Sequence, residues 1–67
     1  MTLGERVQGL RQDRGWSQRE LARRAMLHHA FVSELEQGKK RDALGQTIRK
    51  LAITLKTSAD YLIGMYD

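Results

Sequence analysis

Gly15-Trp16-Ser17-Gln18-Arg19-Glu20-Leu21-Ala22-Arg23-Arg24-Ala25-Met26-Leu27-His28 is the stretch whose reading decides the fold. Ser17-x-x-Glu20 has the form of a capping box, in which the hydroxyl and the carboxylate each take a free backbone N–H at a helix start. Trp16 and Leu21 stand at the two positions of a hydrophobic staple, which fixes how the chain enters that helix. The staple makes Trp16 a core residue and not a stacking platform. The helix runs from Gln18 to Ala25, too short to persist alone, so its Leu21, Ala22 and Ala25 face must pack on a neighbour. Met26-Leu27 then makes a short turn.

The same signals recur on either side. Thr2-x-x-Glu5 is a second capping box, and Leu3, Val7 and Leu10 form an apolar stripe ending before Gly15, which predicts a helix over 2–14. After the turn, a helix from His28 to Gln37 carries Val32 and Leu35 inward and stops at Gly38. Gly38-Lys39-Lys40-Arg41-Asp42 reads as a polar loop. A fourth helix, Gly45 to Leu55, puts Ile48, Leu51, Ala52 and Leu55 on one side, and Ser58 caps a last short helix that runs through Ile63 to a stop at Gly64. With no proline in 67 residues, the expectation is an all-α, compact five-helix fold, residues 1–67 forming one domain. A chain of this size buries only about 60% of its unfolded surface, so the core must be locally connected.

Composition removes several classes of function. There is no cysteine, so neither a disulfide framework nor a structural zinc staples the fold, and a reducing, cytoplasmic setting is expected. No apolar run reaches the roughly 18 residues of a membrane span, and the N-terminus lacks the order of a signal peptide, so no membrane association is expected. No nucleophile–base pair stands out, and so small a domain rarely encloses a cleft; the chain is not expected to be an enzyme or to hold a cofactor. His28 and His29 diverge by about 100° on a helix and do not share a metal. Lys and Arg number 12 against 8 Asp and Glu, a net charge of +4. The surplus sits in residues 1–41, which suits a polyanionic partner.

Two short helices joined by a turn of a few residues form a helix-turn-helix, whose second helix enters the major groove of DNA. On a helical projection Val32, Leu35, Glu36 and His28 cluster inward. Ala30, Ser33, Glu34 and Gln37 point the other way, flanked by His29 and Phe31. That outer face is polar and lies between Gln18 and Arg19 on one side and Lys39, Lys40 and Arg41 on the other. Base recognition needs such a layout, because phosphate contacts position a protein while base contacts specify the sequence. Arg19, Arg23 and Arg24 otherwise read as solvated surface.

Gly15 to Ala22, then Phe31-Val32-Ser33-Glu34-Leu35-Glu36-Gln37-Gly38, then Leu51-Ala52 and Ser58-Ala59-Asp60-Tyr61-Leu62 resemble the phage Cro/CI-type repressor family, also called the Xre family. The resemblance covers almost the whole chain. It implies a lambda-repressor-like fold and a transcriptional regulator, a repressor in the first instance, that binds a palindromic double-stranded DNA operator as a homodimer. It places His29, Ala30, Ser33 and Glu34 at base-reading positions, and Gln18, Arg19, Gln37, Lys39, Lys40 and Arg41 at phosphate-contacting ones. It also pairs Arg11 with Glu36 as a structural salt bridge. In physical terms Ala30 would meet a thymine methyl and Glu34 would accept from cytosine N4.

The chain departs from that pattern at Met26, where a glycine is common, and at His28, a poorer N-cap than Ser or Thr. It departs also at Thr57, where an apolar residue is typical, and in the loop after Gly38, which lacks the frequent proline. Ile53 points away from the apolar stripe of its helix and, with Ile63, Met65 and Tyr66, is a candidate dimer interface. The alternative reading is an antitoxin-like module whose apolar C-terminal surface holds a protein partner, with DNA contact subsidiary.

Overall fold

In the computed structural model, which describes residues 1–40 and 45–64, Thr2 opens α1 (Leu3–Asp13) with both halves of a capping box. Its hydroxyl accepts from the Glu5 N–H at 3.1 Å, and Glu5 Oε1 accepts from the Thr2 N–H at 2.9 Å. That backbone N–H holds the Glu5 carboxyl below its usual range. Ser17 opens α2 (Gln18–Ala25) with one half only, its hydroxyl accepting from the Glu20 N–H at 3.0 Å. The Glu20 carboxylate, expected to complete the box, turns along the helix instead. Its Oε2 lies 2.5 Å from Arg23 Nη2 and 2.6 Å from Arg24 Nε. Two guanidinium donors at i+3 and i+4 outcompete one neutral amide for a carboxylate. Bonded first by Arg23 and then by Arg24, the Glu20 carboxyl titrates at about 2.

His28 is the N-cap of α3 (His29–Glu36), with extended backbone and no side-chain capping bond. It is exposed, not turned inward as the helical projection had it. A capping residue precedes the first helical turn, so the 100° step does not apply to it. Similarly, the sequence ranges 2–14 and 28–37 run one residue beyond α1 and α3 at each end, because they count the caps. After α4 (Gly45–Leu55), Ser58 caps α5 (Ala59–Leu62) by accepting from the Tyr61 N–H at 3.0 Å, and Ile63 is its C-cap.

Each helix closes on a residue in the left-handed region. Gly15, Gly38 and Gly64 serve three of them, but α2 ends on Met26 at φ 57° and α4 on Lys56 at φ 55°. At Met26 the closure is the same hydrogen-bonded motif that glycine ordinarily makes. The Leu27 N–H donates to the Ala22 carbonyl at 2.8 Å and the Met26 N–H to that of Arg23 at 3.3 Å. The turn between α2 and α3 therefore keeps the geometry of a glycine turn while carrying a side chain, 81% exposed, that packs on little.

Val7, Leu21, Val32, Leu35, Leu51, Leu55 and Leu62 are fully buried, with Ala22, Ala25, Ile48 and Ala52 completing one core. Trp16 and Phe31 are half-buried against it. In this core α1 packs on α3, α4 and α5, whereas α2 packs on α3 and α4. Arg6, buried on α1, lies 5.4 Å from the centre of the Tyr61 ring and joins α1 to α5. Gly4 sets the crossing of α1 and α3: a Cβ there would fall 2.0 Å from the Leu35 carbonyl oxygen. No hydrophobic period marks this close approach of two backbones. Among the described residues no helix is long and apolar enough to cross a membrane.

Left-handed backbone costs a residue bearing a Cβ about 1 kcal/mol. Met26→Gly, which removes that cost and little packing, is expected to raise the free energy of urea unfolding by up to about 1 kcal/mol with an unchanged m-value.

Candidate nucleic-acid interface

The inner side of α3 is fixed by charge as well as by its two apolar residues. Arg11 Nε donates to Glu36 Oε2 at 2.8 Å, and Nη2 donates to Oε1 at 2.9 Å, a bidentate pair. The third arm of the guanidinium, Nη1, donates to the Trp16 carbonyl at 2.7 Å, and Gln18 Nε2 donates to Glu36 Oε1 at 3.1 Å. The side chains of Arg11 and Glu36 are 11% and 2% exposed, so the pair lies out of water. Hydrogen bonding to Glu36 raises the Arg11 pKa further, so the guanidinium stays charged. One carboxylate on the last turn of α3 thus ties it to α1 and to the first turn of α2. The α3 axis cannot roll without breaking several charge-assisted bonds at once.

The opposite side of α3 faces solvent over its first turn. His29 and Ala30 are exposed, Ser33 and Glu34 half-buried, and Gln37 exposed. Gln37 Nε2 donates to Ser33 Oγ at 3.0 Å. Two of the residues assigned to DNA are therefore already joined, which leaves the Ser33 hydroxyl hydrogen and, on Gln37, the second amide hydrogen and the amide oxygen to meet a ligand. Beyond Gly38, the backbone N–H groups of Lys39 and Lys40 close the helix on the Glu34 carbonyl at 2.9 and 3.3 Å, while both side chains are exposed. Arg19 is exposed on the first turn of α2. Gln18 is half-buried with its amide nitrogen committed to Glu36. That nitrogen carries a second N–H, which with the amide oxygen remains to meet a ligand, so Gln18 can still donate to a phosphate oxygen.

Arg41, Met65 and Tyr66 lie outside the described residues. Ile53 and Ile63 are 70% and 56% exposed. Ile53 shares a groove with Trp16, Arg24 and Lys56. Sequence reasoning did not assemble that group, because its members come from three segments and their apolar spacing is irregular. Arg23 and Arg24, read as solvated surface, are exposed but bound to Glu20, and Arg24 lies over the Trp16 ring. Among the described residues no group of three or more metal-ligating side chains gathers.

An eight-residue α2, a left-handed turn and an α3 that packs on α2 while presenting a polar face define a helix-turn-helix. The helix-turn-helix family model matches residues 7–62, and the chain belongs to that family. Its fold is that of SinR, the master regulator for biofilm formation, in a crystal structure in complex with DNA. The TM-score is 0.88 and the identity 26%, over 91% of this chain and 97% of that one. The P22 c2 repressor protein, in complex with synthetic operator 9T, matches with a TM-score of 0.87 over 96% of each chain. Its identity of 23% shows a likeness of fold. A SinR protein/SinI protein complex matches at 25% identity and TM-score 0.89 over 94% of this chain, which spans 61% of that one. No curated protein matches in sequence. The chain is a DNA-binding regulator of the Cro/CI type with a lambda-repressor-like five-helix fold.

Removing one partner of a buried ion pair strands the other and costs about 3–5 kcal/mol. Arg11→Met is expected to destabilise the fold by roughly 3 kcal/mol in chemical denaturation, and Arg11→Met with Glu36→Leu to recover much of that loss.

Proposed function

We propose that this chain represses transcription by binding a palindromic operator as a homodimer, residues 1–67 acting as one DNA-binding domain. Each copy places α3 in a major groove, with the two α3 helices about 34 Å apart. His29, Ala30, Ser33 and Glu34 read base edges. Gln18, Arg19, Gln37, Lys39, Lys40 and Arg41 hold phosphates, and Gln18 also braces α3 through Glu36. The observation that carries this reading is that Glu36 is sealed against α1 and α2 while, on the other side of α3, His29 and Ala30 are exposed and Ser33 and Glu34 half-buried.

Glu34 is the most informative of the proposed readers. A carboxylate on this face is repelled by phosphates whatever the sequence, so it lowers non-specific affinity and favours duplexes that offer it a cytosine amino group. Ile53 on α4 and Ile63 at the close of α5, both exposed, are the described members of the proposed dimer surface, with Met65 and Tyr66 following in sequence.

A duplex selected from a random pool is expected to bind with an affinity that falls with salt at a slope of about −0.9 per neutralised phosphate. In fluorescence anisotropy, Lys39→Glu is expected to weaken selected and random duplexes alike. Glu34→Gln is expected to change which duplex is preferred, by about 1–3 kcal/mol at the affected base pair. Recovery of no duplex bound better than the starting pool would contradict the reading.

A further inference from the structure

A groove runs between the C-terminal end of α1, the Arg23-Arg24 edge of α2 and the end of α4. We propose that it docks an acidic segment of a partner protein, one apolar side chain entering between flanking carboxylates. Trp16 is its apolar floor. The Arg24 guanidinium lies 4.4 Å from the centre of a Trp16 ring and that of Arg14 5.8 Å, while Ile53, 70% exposed, offers a second apolar surface in the same groove.

Charge around that floor is strongly one-sided. Arg14, Arg23, Arg24 and Lys56 all line the groove, and Glu20 is the carboxylate that Arg23 and Arg24 share. Arg14 is anchored by donating to the carbonyls of Leu10 and Leu55, which positions its charge without neutralising it. Arg14 and Arg24 are thus held before any ligand arrives, and a ligand carboxylate loses less side-chain entropy in fixing them. The i+4 step from Glu20 and the ring of Trp16 hold Arg24 from two directions.

The apolar floor distinguishes among polyanions. A DNA backbone supplies charge but no side chain to cover Trp16 and Ile53, whereas an acidic peptide with one aliphatic residue supplies both. A second copy of this chain brings a net charge of +4 toward a basic groove. The groove contains no residue of α3 and none of those assigned above to bases or phosphates, and Ile53 is the one lining residue it shares with the candidate dimer surface.

Trp16 is the sole tryptophan and reports on the groove directly. The probe is an acetylated, amidated peptide with leucine at its centre and two acidic residues on each side, titrated against the full chain without DNA. A saturable change in Trp16 emission is expected. Ile53→Glu and Lys56→Glu, both at exposed positions and checked for native circular dichroism, are each expected to weaken binding by about tenfold, or 1.4 kcal/mol. Four results would overturn the proposal. The peptide with alanine in place of leucine binds equally well; the two variants bind the peptide as the parent does; or emission changes with protein concentration alone and Ile53→Glu abolishes that change, which would make the groove a contact between copies. If Lys56→Glu weakens duplex binding and leaves peptide binding intact, the groove is a phosphate contact and the proposal is again overturned. Loss of DNA binding in other experiments leaves this readout unaffected.

Discussion

The bidentate contact of Arg11 with Glu36, completed by Gln18 and the Trp16 carbonyl, is the constraint on which the rest of the molecule depends. Two charges removed from water are costly to bury, and a hydrophobic pair of the same size often gives equal or greater stability. What the ionic version adds is direction. A leucine pair would tolerate rotation of α3 about its axis, whereas two parallel N–H bonds to one carboxylate fix the plane of each group. Because Glu36 faces inward, the residues on the other side of α3 have no route into the core. The same bond therefore contributes to stability and decides which side chains meet a ligand.

Backbone geometry sets the two ends of α3. At its C-terminal end, Gly4 lets α1 come so close that any side chain would collide with the Leu35 carbonyl. At its N-terminal end, Met26 holds a left-handed turn that glycine would hold at lower cost. The first is a steric requirement and the second a strain that the surrounding packing overcomes. Between them α3 is short, and with no side-chain cap at His28 its first turn depends on tertiary contacts rather than on its own propensity.

Much of this was legible in the sequence because local signals dominate a small helical domain. The Ser17 and Ser58 caps, the ranges of α2 and α4, and the apolar residues Val7, Leu21, Val32, Leu35, Leu51 and Leu55 follow from capping and period alone. What escaped depends on competition or on distance. Glu20 had two possible partners, and sequence spacing does not say whether an amide or an arginine takes it. His28 was turned inward by applying a helical angle to a residue outside the helix. Gly4 against Leu35 joins two helices, and Trp16 before α2 shares a groove with Ile53 on α4, and no periodic pattern encodes such meetings. The polar face of α3 was visible as residue types; its internal bond between Ser33 and Gln37, which alters what each can offer DNA, was not.

Backbone amide shifts during titration with a selected duplex test the central claim most directly, since they report on every residue at once. Seating of α3 against DNA requires the largest changes at His29 to Glu34 and at Lys39 and Lys40. The Arg11 Nε resonance should stay in place, because the Glu36 pair is already formed in the free protein. Changes confined to α4 and α5, or an Arg11 resonance that moves as α3 turns, would contradict an α3 whose inner side is locked and whose outer side reads the groove.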